Sequence, residues 1–415
     1  MQRWLILADD LTGAADCAVS FARRGHAAAV AWGPAGIAEE TVLAIDADSR
    51  RLPPTQAAAR HAALLAAPPG PGAALYKKMD STLRGQPAAE LAASLATLRA
   101  AGRPALAVVS PAFPATGRTM EDGRVRLQGA PLEASPLWRR DHTYPDADLR
   151  AVLEGAGMTT ALLPLAALRA EPGAAARAVR AALEAGQDAL VCDAATEADL
   201  ATIARATLPL AGSVIWVGSG GLAAALAGAL PMGHAPPPSL PPPRRTGLLL
   251  VVGSMAEASR VAAAEALAAG GLRRFGLAPA LLRAGPGEWA GTAGAIAATI
   301  AAGEDALAII EEEPGADLRQ GAALAEALAA LLRPAGLAAG GLFATGGETA
   351  RALLAHLGVH SIRLLEEIAP GVPLGLARGG RATPVITKAG GFGGAQTIGH
   401  ARQRLRAWLQ QEAQA

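Results

Sequence analysis

Short apolar runs that end in acidic, basic or glycine turns recur along this chain, and alanine-rich stretches of helical period separate most of them. Trp4 to Leu7 is the first, a run suited to a buried parallel strand, with Asp9 and Asp10 at its carboxyl end and Thr12-Gly13 opening a helix. The pattern predicts strands at 4–8, 28–32, 42–46, 73–78, 105–109, 159–163, 188–193 and 213–217, and again at 247–252, 306–310, 341–345, 361–365 and 383–387. Such alternation favours parallel sheets with crossover helices. Residues 232–245, MGHAPPPSLPPPRR, break it: their prolines remove backbone donors and favour an extended, semi-rigid spacer. The expected fold is therefore two α/β domains with mainly parallel sheets, 1–231 and 246–415, joined by that spacer. The stretch 396–413 has helical period and is expected to pack on the second domain.

The polar strand ends carry the candidate chemistry, since ligands of open α/β sheets sit at the carboxyl ends of strands. Asp9 and Asp10 follow the first strand, Asp46-Ala47-Asp48-Ser49-Arg50 another, Lys77-Lys78-Met79-Asp80-Ser81-Thr82-Leu83-Arg84 a third, and Ser110 to Thr119 a fourth. Two adjacent carboxylates repel unless a cation, donor or hydroxyl lies between them. A site of aspartates, arginines and hydroxyls suits a small polyhydroxy acid: arginine binds a carboxylate bidentately, and aspartate accepts from hydroxyls and can take a proton. Plainer roles stand beside these. Asp10 or Thr12 alone could cap the helix. Asp46 and Asp48 could be turn formers, Lys78 and Asp80 a surface ion pair, and the loop 111–117 only a rigid turn. Side chains alternate along an extended segment, so Asp9 and Asp10 should have unequal jobs. Asp10 is expected to face the ligand and Asp9 to hold the turn by accepting the helix's first N–H groups.

The second half ends its strands differently. Val252-Gly253-Ser254, Thr345-Gly346-Gly347-Glu348-Thr349 and Lys388-Ala389-Gly390-Gly391 are turns in which backbone N–H groups can approach an anion at a helix N-terminus. Three such turns, one with a lysine, point to nucleotide phosphates. No GxxxxGK[ST] occurs, so the chain is not a P-loop enzyme. Gly218-Ser219-Gly220-Gly221-Leu222-Ala223 fits GxGxxA, but no acidic residue lies between Leu222 and Ala256, where a dinucleotide fold wants one. A close helix–strand crossing explains these glycines better than an NAD site. There is no GxSxG elbow.

Composition changes this picture little. The chain has 415 residues, 51% of them hydrophobic, enough for two cores. A net charge of +1 gives no bias toward nucleic acid or membrane. Cys17 and Cys192 form no CxxC pair, and the histidines show no HExxH spacing, so neither disulfide nor zinc is expected. No stretch is expected to span a bilayer, and no signal peptide is apparent, so a cytoplasmic location is expected.

ADDLTGAAD, KKMDSTLRG, SPAFPATGR, GSGGLA, TGGETA, PGVPLG and TKAGGFG occur here in an order that resembles the four-carbon acid sugar kinases, from Ala8 to Gly394. The resemblance implies an N-terminal domain for the sugar acid, a C-terminal domain for ATP, and an active site in the cleft between domains. Asp9, Asp10, Lys78, Asp80 and Arg84 match the substrate side; Ser254, Gly346 to Thr349 and Gly390-Gly391 match the ATP side. The expected reaction is ATP- and Mg2+-dependent phosphorylation of a terminal hydroxyl on 3-oxo-tetronate, threonate or erythronate. Arg84, with Arg50, would hold the carboxylate. Asp10 or Asp80 would orient or deprotonate the hydroxyl, and Lys388 would stabilise the transferring phosphoryl. The resemblance fixes no metal ligands, and it leaves a homo-oligomer open. Cys17, Ser259 and Ala262 stand where similar proteins tend to carry Thr, Thr and Gln. A non-catalytic sugar-acid sensor and an NAD-dependent dehydrogenase are the alternatives.

Overall fold

The computed structural model describes residues 2–32, 40–66, 72–103, 106–141, 144–236, 246–313 and 320–411. Residues 237–245 of the expected spacer, residue 105 of an expected strand and residues 412–413 of the last helical stretch lie outside these. The described strands are β1 (Trp4–Ala8), β2 (Ala28–Ala31), β3 (Val42–Asp46), β4 (Ala74–Lys78), β5 (Leu106–Ser110), β6 (Arg118–Glu121), β7 (Arg124–Leu127), β8 (Ala130–Pro131), β9 (Thr160–Leu163), β10 (Ala189–Cys192) and β11 (Val214–Gly218), followed by β12 (Leu248–Val252), β13 (Leu272–Leu277), β14 (Asp305–Ile310), β15 (Gly341–Thr345), β16 (Ser361–Ala369), β17 (Val372–Arg378) and β18 (Pro384–Lys388). Every strand expected from an apolar run is among them. The chain divides into two compact units, Met1–Ala28 with Glu39–His234, and Ala29–Ala38 with Ala235–Ala415.

The N-terminal unit is built on a parallel sheet in the order β3-β1-β4-β11-β5-β10-β9. β1 is buried along its whole length, and Trp4 packs against Phe21 and Trp216 with ring centroids 5.0 and 5.1 Å away. Because β3 and β4 flank β1 on opposite sides, the chain leaves β1 in both directions. That arrangement opens a crevice at the carboxyl ends of these three strands. A small antiparallel sheet, β6-β7-β8, lies in the same half of the chain. Its strands are rich in Arg and Glu, so no apolar run marks them.

The C-terminal unit has the order β13-β14-β12-β15-β18-β17-β16-β2. β13 to β18 run parallel, and β17, β16 and β2 follow antiparallel. Here β12 is the switch strand, between β14 and β15. β2 comes from the far end of the sequence, pairing Ala29, Val30 and Ala31 with Arg363, Ile362 and Ser361. Its apolar pattern shows a strand but not which sheet receives it. β13 and β17 escape the apolar pattern for local reasons: β13 is an edge carrying exposed Arg273 and Arg274, and β17 holds Pro373 and Gly375. Gly375 is required because a Cβ there would lie 2.4 Å from Ile362. The core gathers Leu248, Leu250, Val252, Phe343 and Ile386, and the helix Thr397–Gln411 lays Ile398, Leu405 and Trp408 on it, as its period predicts.

Among the described residues one helix, Gly321–Ala338, is long and apolar enough by length and composition to cross a bilayer. Its apolarity has a local use: it packs between the helices Pro286–Ala301 and Gly347–His356 and buries Leu328, Leu331 and Leu332.

Candidate active site

Each unit carries a polar constellation at the carboxyl end of its switch strand. In the N-terminal unit the expected residues come together as one ion cluster. Arg50 donates through Nε and Nη2 to the two carboxylate oxygens of Asp9, at 2.7 and 2.9 Å, and through Nη1 to Asp10 at 2.7 Å. Its Nη2 also lies 3.5 Å from Asp80. Arg84 grips Asp80 with Nε and Nη2 at 3.0 and 2.7 Å, while Thr82 donates to the same carboxylate from backbone and hydroxyl. The backbone makes this possible: Ser49 and Arg50 both donate N–H to the Asp9 carbonyl, so the turn after β3 is tied to the end of β1.

The helix cap falls to Asp10 and not, as expected, to Asp9. Asp10 caps the helix Leu11–Ala22, accepting from Gly13 N at 2.9 Å and from the Thr12 hydroxyl at 2.8 Å. Asp9 is the buried partner of Arg50. The reason is backbone geometry: Asp10 is extended just ahead of the helix, the position from which a short acceptor reaches the orphan N–H groups. Asp46 acts as a turn former, accepting from Asp48 N at 2.8 Å. Lys78 and Asp80 are both buried, so they are no surface pair. The Lys78 ammonium donates to the Met79 carbonyl, and its end carbon lies 3.3 Å from where a Cβ on Gly13 would stand.

Charge fixes the protonation of this cluster. Burial pushes the Asp9 carboxyl up, but Arg50, then Lys78 and Lys77, outweigh it and hold it down at about 2. Burial likewise opposes ionisation of Asp80, and Arg84 and Arg50 bring it well below the usual carboxylate range. A carboxylate so stabilised is a weak base near neutral pH. Arg118 is brought into the field of Asp80 and Arg84, with burial as the main influence on it.

The glycines 218–221 serve packing. A Cβ on Gly218 would lie 2.4 Å from the Ser110 carbonyl, and one on Gly221 2.5 Å from the Ala112 carbonyl. Ser219 caps the helix that follows and donates to the Ala112 carbonyl at 2.7 Å.

In the C-terminal unit three glycine turns meet above β12, β15 and β18. A Cβ on Gly253 would fall 2.0 Å from the Thr349 hydroxyl, and one on Gly390 2.0 Å from the Ser254 hydroxyl. Gly346 has φ +96°, which only glycine adopts readily, and it opens the helix Gly347–His356 without any side-chain cap. Gly347, Glu348 and Thr349 therefore begin a helix whose first N–H groups lack intrahelical acceptors. At Gly391 a Cβ would meet nothing within 4 Å, so space does not demand glycine there. Lys388 is fully buried beneath these turns. Its ammonium donates to Ser259 at 2.9 Å and to the carbonyls of Ala389 and Gly390 at 3.2 Å. Burial lowers it to about 8. Ser259 in turn bonds Thr345 at 2.9 Å and the Gly390 carbonyl at 2.7 Å. This contact between Ser259 and Thr345, which the sequence named separately but did not pair, stitches the three turns together.

Residues 4–226 match the model of a sugar-binding N-terminal domain, and residues 249–398 that of a nucleotide-binding C-terminal domain. The chain belongs to the four-carbon acid sugar kinases. It is 43% identical to a D-threonate kinase of Cupriavidus necator, over 97% of this chain and 98% of that one. To a 3-oxo-tetronate kinase of Methylobacterium radiotolerans it is 31% identical, over 95% and 97%. A solved structure from Salmonella typhimurium LT2, described as a putative tRNA synthase, aligns with a TM-score of 0.80 at 21% identity, covering 97% of this chain and all of that one, and shows the shared fold. As a sugar-acid kinase the chain is an enzyme with a nucleotide-binding half and a sugar-binding half, and its phosphoryl donor is ATP.

Proposed function

We propose that this kinase phosphorylates the terminal hydroxyl of D-threonate, with the acid held at the Asp9–Arg50–Asp80–Arg84 cluster and the nucleotide at the glycine turns of the C-terminal unit. The observation that carries the placement is the contrast in donors: the sugar-binding half offers guanidinium groups and carboxylates at its switch strand, whereas the nucleotide-binding half offers main-chain N–H groups. Identity to the D-threonate kinase of Cupriavidus necator supports the choice of acid.

Arg84 keeps 30% of its side chain exposed while Asp80 keeps 7%, so Arg84 can turn a free edge of its fork toward a substrate carboxylate without releasing Asp80. Arg50 is braced by two aspartates and supports that geometry. Asp10 is the more exposed of the two candidate hydroxyl partners, at 16%, and orients the attacking hydroxyl. Strong basicity is not demanded, because phosphoryl transfer is mainly positioning and charge neutralisation. The uncapped helix at Gly347 and the turn with no room for a Cβ at Gly390 fit a phosphate chain on backbone donors. Lys388 braces those turns from below and adds positive charge near them. Mg2+, when bound, supplies charge neutralisation at the phosphates. Glu348, in the first turn of the helix Gly347–His356, is the carboxylate that would hold it. Among the described residues no group of three or more His, Cys, Asp or Glu side chains that could hold a metal ion is present. Transfer requires the hydroxyl and the γ-phosphate to meet, so both sites work within one catalytic cycle.

ADP release from the purified protein with ATP, Mg2+ and D-threonate, L-threonate, D-erythronate or a 3-oxo-tetronate tests the reading. D-threonate should give the highest kcat/KM. A 3-oxo acid in first place would overturn the choice of acid, and no turnover with any of the four would overturn the kinase reading of the cluster.

A further inference from the structure

Behind the ion cluster lies a second polar network that the mechanism does not use. Lys77, the residue before Lys78, points to the other face of β4, and its ammonium sits 2.6 Å from the Glu90 carboxylate. The second Glu90 oxygen accepts from the Ser49 hydroxyl at 2.7 Å. That hydroxyl is 3.1 Å from Nε2 of His61, which is itself 3.5 Å from Glu90. All four residues are at most 1% exposed. They come from four separate pieces of chain: the turn after β3, the helix Pro54–Ala66, β4 and the helix Pro87–Ala100. His61 stays neutral here, since burial and the Lys77 charge push it down to about 4.

A buried ion pair is weak evidence of net stability, because apolar residues of similar volume often serve as well. What distinguishes this one is where it is attached. Ser49 is followed by Arg50, and both donate N–H to the Asp9 carbonyl, at 3.0 and 3.2 Å. Lys77 also donates from its ammonium to the carbonyl of Lys78, at 2.7 Å, the peptide that leads to Asp80 and Arg84. Glu90 thus grips from one point both turns that carry the basic residues of the sugar-acid cluster. It touches none of the cluster's side chains itself.

We propose that Glu90 is a positioning residue for the sugar-acid site: through Ser49 it sets where Arg50 stands, and through Lys77 it sets the start of the Lys78–Arg84 turn. The consequence for substrate rests on the assignment of the acid to this cluster; the consequence for Arg50 does not. Loosening the network lets the turn after β3 move away from the end of β1, and Arg50 then loses its two-pronged hold on Asp9.

The test uses the full chain and three variants. Ser49→Ala removes one hydroxyl and leaves the Lys77–Glu90 pair intact. Glu90→Gln keeps an acceptor for Ser49 but leaves the Lys77 ammonium without its carboxylate. Lys77→Met with Glu90→Leu replaces the pair by apolar groups. Crystal structures of Ser49→Ala and of the double variant should show the Arg50 guanidinium shifted off Asp9. Kinetics should show KM for the sugar acid raised about ten-fold in Glu90→Gln, as for loss of one charge-assisted bond. KM for ATP should stay within about two-fold. In the double variant KM should stay raised even where Tm returns to the wild-type value, which a merely structural role would not produce. Arg50 unmoved in the folded Ser49→Ala and double variants would overturn the inference, as would a wild-type acid KM in the double variant. If Glu90→Gln fails to fold, Ser49→Ala alone still decides through its structure and its acid KM. Failure of the wild-type chain to turn over any four-carbon acid would sink the substrate assignment instead, and the position of Arg50 in the variants would still decide the role of Glu90.

Discussion

The two switch-strand edges of this enzyme present opposite kinds of surface. At β1 the chain supplies charged side chains and then restrains them: each guanidinium of Arg50 and Arg84 already holds a carboxylate, and Asp10 is tied to a helix start. At β12, β15 and β18 the chain withholds side chains, and three turns approach so closely that Gly253 and Gly390 have no room for a Cβ. The difference suits the ligands proposed for the two edges. A hydroxy acid presents a planar carboxylate and hydroxyls whose arrangement must be read by directional side chains. Phosphates present many equivalent acceptors, which backbone N–H groups and a helix dipole meet without any side chain.

The largest effect expected from disturbing this contrast is on stability, at Asp9. Asp9→Asn leaves Arg50 partly buried without its two-pronged partner, and breaking such a pair costs about 3–5 kcal/mol. Asp10→Asn should cost less, about 1 kcal/mol, since asparagine caps helices as well as aspartate does and only the charge on the partly exposed Arg50 contact is lost. Denaturant titration of both variants checks this, and equal losses would contradict the roles assigned. The pH dependence has a definite sign. The folded pKa of Asp9, about 2, lies below its ordinary 3.8. Its contribution is therefore present above pH ~4 and lost as pH falls toward 2. Asp9→Asn should flatten the stability curve in that window.

Next in size is the glycine edge. Gly390→Val must displace Ser254, whose hydroxyl lies 2.0 Å from the new Cβ. Overpacking of this kind costs about 1–3 kcal/mol, and here it should appear as a KM for ATP raised by ~10- to 100-fold with little change in KM for the acid. The mirror experiment is Arg84→Lys, which keeps the charge and loses the planar fork. It should raise KM for the acid by ~10-fold, about 1–2 kcal/mol, and leave ATP untouched. An equal rise in both constants for either variant would dissolve the division. Smallest of all should be Gly391→Ala. Nothing lies within 4 Å of its Cβ position, so both constants should stay within about two-fold of wild type. A large loss there would mean that the ligand itself fills that space.

Much of this was legible in the sequence, and the exceptions have physical causes. Strands buried on both faces announce themselves as apolar runs, so β1, β4, β12 and β15 stand out. β13 and the β6–β8 sheet do not, because their arginines and glutamates face outward at edges and turns. The glycine turns could be read because a missing side chain is itself the signal. The members of the ion cluster could also be read, as polar residues crowded at strand ends, but their pairing could not. Whether Asp9 or Asp10 caps the helix depends on which of them is extended one residue before Leu11, and adjacent letters do not encode that. Glu90, His61 and Ser49 left still less trace. Glu90 is one acidic residue in an alanine-rich helix, and its role exists only because β4 directs Lys77 toward it.

Hydrogen–deuterium exchange on the full chain, with one ligand at a time, measures the division most directly. D-threonate alone should slow exchange at residues 9–16, 48–52 and 80–85, and ADP alone at 253–259, 346–351 and 388–392. Protection of the glycine turns by the acid, or of the Asp9–Asp10 turn by the nucleotide, in place of those segments would contradict the account.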